Sequence, residues 1–242
     1  MPVARVQLTP GYLLHHQPWR EHGRILEVFS REHGRLSLFA HGVRGPKARA
    51  AGVLQAFVPL LLSWTGRGEA PRLTAVEIDP EDVLGPSPLP PECILSGYYL
   101  SELVMKLTER HDPQPEVYAH YDRALRALKA GAHLQRELRL FEKRLLDALG
   151  YGLDFEAAVG EDADRYYHYR PAEGWLPAVA DSPGRIAGRS LRSLAEERLD
   201  QPAELEEARW LLRVALGHCL EGRQLRTRGV ARSLQQMRKK DP

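Results

Sequence analysis

The sequence has only two cysteines, Cys93 and Cys219, far apart and without CxxC spacing. A four-cysteine zinc site cannot be built from them, and no disulfide framework staples the fold. Long apolar runs are missing too: none approaches the roughly 18 residues that a membrane span needs. The first residues carry no charged-then-apolar signal segment, so a soluble, cytoplasmic protein with no membrane partner is expected. An excess of one charge is also missing, the net charge of the 242 residues being only +2. Catalytic signatures are absent as well. Ten histidines occur, yet there is no HExxH and no Ser/His/Asp grouping. His15, His16, His22, His33 and His41 fall in or beside predicted strands and turns, where a solvent-facing histidine is the ordinary reading. Gly42-Val43-Arg44-Gly45-Pro46-Lys47-Ala48 superficially resembles a phosphate loop, but it lacks the G-x-x-x-x-G-K-[ST] spacing and no helix pattern follows. Glu206 and Glu207 read as a solvated helix face. Neither an enzyme nor a cofactor is expected.

What is present divides the chain in two. Ile25–Phe29 and Leu36–Ala40 alternate as strands, and Gly34 between them can supply the positive φ of a short hairpin. A first strand is predicted over Val3–His16, broken around Pro10-Gly11. A longer one follows over Val53–Trp64 and a last one near Arg72–Ile78, after the Gly66-Arg67-Gly68-Glu69 turn. Five short antiparallel strands within 80 residues fit an OB-fold barrel, with an SH3-like barrel as the structural competitor. Gly85-Pro86-Ser87-Pro88-Leu89-Pro90-Pro91 then holds four prolines in seven residues, which no sheet or helix interior tolerates.

Beyond it the period changes from 2 to 3.6. Amphipathic helices are predicted over Glu92–Arg110, Glu116–Ala130 and Ala132–Leu149, short connections making them one bundle. Asp154–Ala180, with Tyr166-Tyr167-His168-Tyr169-Arg170 and Trp175, reads as a loop or small strand excursion. Helices near Ser190–Leu199 and Ala203–Leu220 follow, then a basic tail from Arg223. The expected class is α+β: an N-terminal OB-fold over 1–80, a Pro-rich linker over 81–91, and a helical domain over 92–242 with an excursion at about 153–181.

Charge is concentrated where the total is not. Ten basic residues against six acidic ones lie in 1–80, and 222–240 holds seven basic residues and no acidic one. Patches of this kind suit a polyanionic partner. Arg20, Arg24, Arg35, Arg44, Lys47, Arg49 and Arg67 all fall at predicted turns, loops or strand ends, so they are the expected nucleic-acid-binding set. Singly, each reads as a solvated surface residue. Trp19, Phe29, Phe39 and Trp64 are candidate stacking platforms, with Phe29 and Trp64 also fitting the core. On the third helix Arg136, Arg139 and Lys143 form a basic stripe beside Phe141, either a solvated face or a groove for an acidic peptide with an apolar end.

Several stretches together resemble the RecO family of recombination mediators. They are Pro18-Trp19-Arg20-Glu21, Gly34-Arg35, Ala40-His41-Gly42-Val43-Arg44 and Leu54-Gln55-Ala56-Phe57-Val58-Pro59-Leu60 in the front half. Gly97-Tyr98-Tyr99-Leu100-Ser101-Glu102-Leu103, Arg139-Leu140-Phe141-Glu142 and Leu149-Gly150-Tyr151-Gly152 continue the resemblance. It implies binding to single- and double-stranded DNA, annealing of complementary strands, and replacement of single-stranded DNA-binding protein by RecA. Implied partners are RecR and the acidic C-terminal tail of single-stranded DNA-binding protein, in a cytoplasmic, nucleoid-associated setting. The third-helix stripe falls where the family's tail-binding region would lie. Many family members carry a four-cysteine zinc site after the Gly-Tyr-Gly segment; Asp154–Trp175 here has no cysteine. An RNA- or ribosome-associated OB protein, or a metal-dependent nuclease, are the alternative readings.

Overall fold

A computed structural model of the chain describes residues 5–21, 23–41, 52–80, 89–156 and 164–238. The chain forms two compact units, Met1–Gly131 with Leu225–Pro242, and Ala132–Gln224.

The first unit is built on five strands, β1 (Arg5–Trp19), β2 (Gly23–Ser30), β3 (Gly34–His41), β4 (Pro59–Thr65) and β5 (Arg72–Ile78). They close into a barrel of order β1-β2-β3-β5-β4, with β1 also pairing β4. All pairings are antiparallel except one, where β3 meets β5 at Phe39 and Arg72. This is the α+β class with the OB barrel expected. Because strand side chains alternate, Leu26, Val28, Leu36, Leu38, Ala40, Leu60, Leu62 and Trp64 all point inward and are buried together. Each such large side chain contributes about 1.5–3 kcal/mol by leaving water.

The outer face of β1 and β2 is covered by α2 (Pro115–Lys129), which follows α1 (Ile94–Leu107). Tyr12 and Phe29 pack against Tyr118 and Tyr121 at centroid distances of 5.2–6.3 Å. The Tyr12 hydroxyl donates to Asp122 Oδ1 at 2.5 Å, and Tyr121 shares a 2.7 Å hydrogen bond with Ser101. Burial, reinforced by Asp122, pushes the Tyr12 phenol far above its ordinary range, so it stays a donor at any physiological pH. Gly34 has φ +66°, and a Cβ there would lie 2.1 Å from the Asp112 carbonyl oxygen. The hairpin turn can therefore press directly on the chain leaving α1.

In the second unit α3 (Leu134–Ala148) packs on α5 (Pro202–Cys219), and α4 (Gly188–Ala195) and α5 pack against a three-stranded sheet whose middle strand comes first in the chain. Its strands are β6 (Tyr166–Arg170), β7 (Gly174–Ala178) and β8 (Ile186–Ala187). The expected excursion is thus a hairpin with a short third strand. Trp175 sits between Tyr169 and Phe155, 5.0 and 6.2 Å away, and its Nε1 donates to the Asp154 carbonyl at 2.7 Å.

Several boundaries differ from the sequence reading. β1 is unbroken at Pro10-Gly11, although its register shifts at Val6/Thr9 and Leu13/His15. Gly11 permits this passage, since a Cβ there would sit 2.8 Å from Leu62 Cδ1. The long Val53–Trp64 strand shrinks to β4, because Phe57 takes φ +67° and turns the chain just before it. The single three-helix bundle also gives way: α1 and α2 belong to the barrel's unit and α3 to the other. Amphipathic spacing shows that a face is buried, not what buries it. The basic tail, finally, contains a helix, α6 (Arg226–Arg238).

Candidate nucleic-acid interface

Register places the outward side chains of the barrel in rows. Gln17, Ile25, Phe39 and Arg72 are neighbours across β1, β2, β3 and β5, and the row continues through Thr65 to Arg5. Two residues further along lie Trp19, Gly23 and His41. These outward rows sit at the β1–β2 turn, which holds Arg20 at φ +52°. Trp19 is 47 % exposed there. Phe39 leans over Gly23, whose missing Cβ would lie 2.8 Å from its ring, and stands 6.3 Å from His41. Arg24, half-buried, lies at the barrel mouth beside Pro18 and Ala40. The pKa of His16 nearby is lowered first by burial, then by the charges of Arg24 and His15. An incoming phosphate would reverse that push.

Four residues along β2 from Gly23, about 13 Å for steps of about 3.3 Å, the outer face is occupied by the chain's own charges. Glu27 accepts from Arg35 Nη1 and Arg110 Nη2, each at 2.6 Å, and from Ser37 Oγ at 3.0 Å. Arg110 Nη1 also donates to Ser37 Oγ at 2.7 Å, and Arg35 Nη2 to the Thr108 carbonyl at 3.0 Å. The segment after α1 is thereby fastened across β2 and β3.

The seven expected DNA-binding cations are therefore not one cluster. Arg20 and Arg24 share the β1–β2 end. Arg35 is a correction: its two terminal nitrogens are committed to the Glu27 carboxylate and the Thr108 carbonyl. Arg67 lies at the far end, lining a cleft with Glu32, His33, Trp64 and His111. Arg44, Lys47 and Arg49 fall outside the described residues. Phe29 and Trp64 are corrected as stacking platforms, since both are buried, one under α2 and one in the barrel core. Trp19 and Phe39 remain. Arg5 and Arg72 join them, which strand-by-strand reading misses because only the parallel β3–β5 seam brings Arg72 beside Phe39.

The stripe on α3 is also corrected. Phe141 is 1 % and Arg139 6 % exposed, the latter holding Glu142 at 2.8 Å. Arg136 donates to the carbonyls of Arg198 and Glu197 at 2.6 and 2.8 Å, and Lys143 pairs with Asp147 at 3.0 Å. These groups hold the second unit together instead of lining a groove. Arg139→Ala should accordingly cost about 3 kcal/mol of stability, measured by urea denaturation. A midpoint equal to that of the unaltered chain would contradict this role.

Two segments of the chain match known family models. Residues 5–79 match the family model described as Recombination protein O N terminal, and residues 92–229 match Recombination protein O C terminal. The chain belongs to the RecO family. It is 41 % identical over 234 residues to the DNA repair protein RecO of Methylococcus capsulatus, covering 95 % of each chain. It is 40 % identical over 249 residues to that of Chromobacterium violaceum, covering 97 % of this chain and 98 % of the relative. A Coxiella burnetii RecO is 37 % identical over 231 residues, covering 93 % of this chain and 98 % of its own. RecO-family membership thus bears out the resemblance, and the relatives carry the name DNA repair protein. No helix among the described residues is long and apolar enough to cross a membrane.

The four-cysteine zinc site that the resemblance attaches to the segment after Gly152 does not fit these residues. No cysteine lies between 151 and 181, and no group of three metal-ligating side chains occurs among the described residues. Trp175, pinned by the Asp154 carbonyl and flanked by Tyr169 and Phe155, packs this segment instead.

Proposed function

We propose that the chain is a DNA-binding recombination mediator that holds single strands at the β1–β2 end of its barrel and anneals complementary ones. The observation that carries this reading is the outward row of exposed Trp19 and His41 with half-buried Phe39, flanked by Arg20, Arg72 and Arg5 on an OB barrel. Cations there neutralise phosphates and release counterions, while aromatic rings accept unstacked bases. The three sequence-assigned cations Arg44, Lys47 and Arg49 come within eight residues after His41 in the sequence.

Annealing on such a surface needs no bond made or broken by the protein. Screening the repulsion between two strands raises their local concentration, and base pairing supplies the free energy. RecR and the acidic tail of single-stranded DNA-binding protein are proposed partners from the family resemblance, with RecA loading as the outcome.

Annealing of two complementary oligonucleotides, with and without single-stranded DNA-binding protein, tests the proposal. The chain should accelerate duplex formation at about 50 mM salt without nucleotide or divalent ion. It should lose most of that acceleration by about 0.3 M, where screening shortens the reach of each charge. Rates equal to the protein-free control at low salt would overturn the reading.

A further inference from the structure

We infer that the cleft between α1 and α6 is a nucleotide subsite, taking one unstacked base of a strand that leaves the barrel along β1. The inference rests on the DNA-binding reading above and extends it from β1 of the barrel to the helices beside it.

The cleft measures about 590 Å³, within the range of small-ligand sites. Its walls are apolar, with Leu14 from β1, Leu95 and Met105 from α1, and Val230 from α6. Tyr98 supplies an aromatic face: it is 46 % exposed and braced edge-on by Phe57 at 4.9 Å. Two cations, Lys106 and Arg226, also line the cleft, together with the imidazole of His15. An apolar slot with an aromatic wall and a cationic rim suits a base stacked within and its phosphate outside.

The rim is continuous with the barrel's binding end. His15 and His16 are stacked at 6.4 Å, and His16 in turn feels the charge of Arg24 at the barrel mouth. A backbone running from Arg24 over His16 and His15 arrives at Lys106 and Arg226. That continuity favours a nucleic acid over an apolar peptide, for which the barrel's charges would be irrelevant.

The fourth wall is held in place firmly. Glu102, inside the cleft, accepts from the Arg226 and Thr227 backbone N–H groups at 2.8 and 3.0 Å and from the Thr227 hydroxyl at 2.7 Å. Burial alone would raise its pKa, but the Thr227 and Arg226 hydrogen bonds and the Lys106 charge outweigh it and hold the carboxyl below its usual range. Its negative charge is thus directed at the start of α6, where a helix N-terminus favours it. Arg226 is exposed, and its side chain can turn to a phosphate without loosening this anchor, which uses only its backbone.

Equilibrium binding of a dT6 and a dT20 oligonucleotide separates the cleft from the barrel, since a single OB-fold covers about 4–16 nucleotides. Tyr98→Ala should weaken dT20 binding roughly tenfold, as expected when one base loses its stacking ring, and leave dT6 binding unchanged. Tyr98→Phe should retain wild-type affinity. Arg226→Glu, a surface change that does not disturb packing, should lower the salt slope for dT20 by about 0.7. Unchanged dT20 affinity and slope in both Tyr98→Ala and Arg226→Glu would overturn the subsite, as would dT20 binding no tighter per site than dT6. Failure of the unaltered chain to bind either length would instead overturn the DNA-binding reading itself.

Discussion

Replacing Arg20, Arg24 and Arg72 together by glutamate should weaken single-strand binding about a hundredfold at 0.1 M salt. The figure follows from counterion release, which adds about 0.7 to the slope of log K against log salt for each phosphate neutralised. Leaving three phosphates without their cations removes about two logarithmic units of affinity at that concentration. The charges belong to one end of the barrel: Arg20 in the β1–β2 turn, Arg24 at the mouth, and Arg72 beside Phe39 through the parallel seam. None of the three lies in the barrel's hydrophobic core, so the variant should keep its folded circular dichroism and melting midpoint. Fluorescence anisotropy with a labelled oligonucleotide gives the affinity directly. The same exchange made at Arg67 should have a much smaller effect, because Arg67 lies by the β2–β3 turn with Glu32 at its side. Equal losses from the two ends would mean that strands wrap the whole barrel.

The second large effect is on stability. Glu27→Gln keeps the shape of the side chain and removes the charge that two guanidinium groups share. Arg35 and Arg110 each approach it at 2.6 Å, and both Glu27 and Arg35 are largely out of solvent. Breaking a buried ion pair by neutralising one member costs about 3–5 kcal/mol, since the remaining charges stay desolvated. The partial exposure of Arg110 places the expected value near about 3 kcal/mol. For a unit of this size that lowers the melting midpoint by roughly 10 °C. Adding Arg110→Ala to Glu27→Gln should recover part of the loss, because it removes one of the stranded cations. A midpoint unchanged by Glu27→Gln would show that the cluster contributes nothing to the hold of the post-α1 segment on the barrel.

These two expectations also show what can be read from a chain and what cannot. Strand alternation alone locates β2, β3 and β5 to within two residues, because a half-buried strand must repeat every second position. Helix spacing likewise finds α1 to α5. Partners are another matter. Phe29 has the pattern of an outward β2 residue, which is correct, yet nothing local indicates that Tyr118 and Tyr121 will cover it. Arg35 sits next to a turn like any solvated arginine, and only the tertiary fold brings Glu27 and the Thr108 carbonyl to its two ends. Arg139 and Lys143 share the charged side of a strongly amphipathic helix, but Glu142, Asp147 and Glu197 are already in reach of them. Counting cations without their acids overstates that stripe.

The opposite error arises at the C-terminus. The run from 222 to 240 is legible as basic, while its helix is not. Gly229 interrupts the pattern and weakens helical propensity. What secures α6 is Glu102, far earlier in the chain, holding its first two N–H groups. A long-range cap leaves no mark in the local sequence.

DNA binding at the β1–β2 end requires that its cations hold the phosphates. The slope of log affinity against log salt for a dT20 oligonucleotide measures this directly, compared between the unaltered chain and the Arg20/Arg24/Arg72 glutamate variant. The expected result is a straight line for the unaltered chain and a slope shallower by about 2 in the variant. Identical slopes in the two proteins, or binding that does not respond to salt, would contradict it.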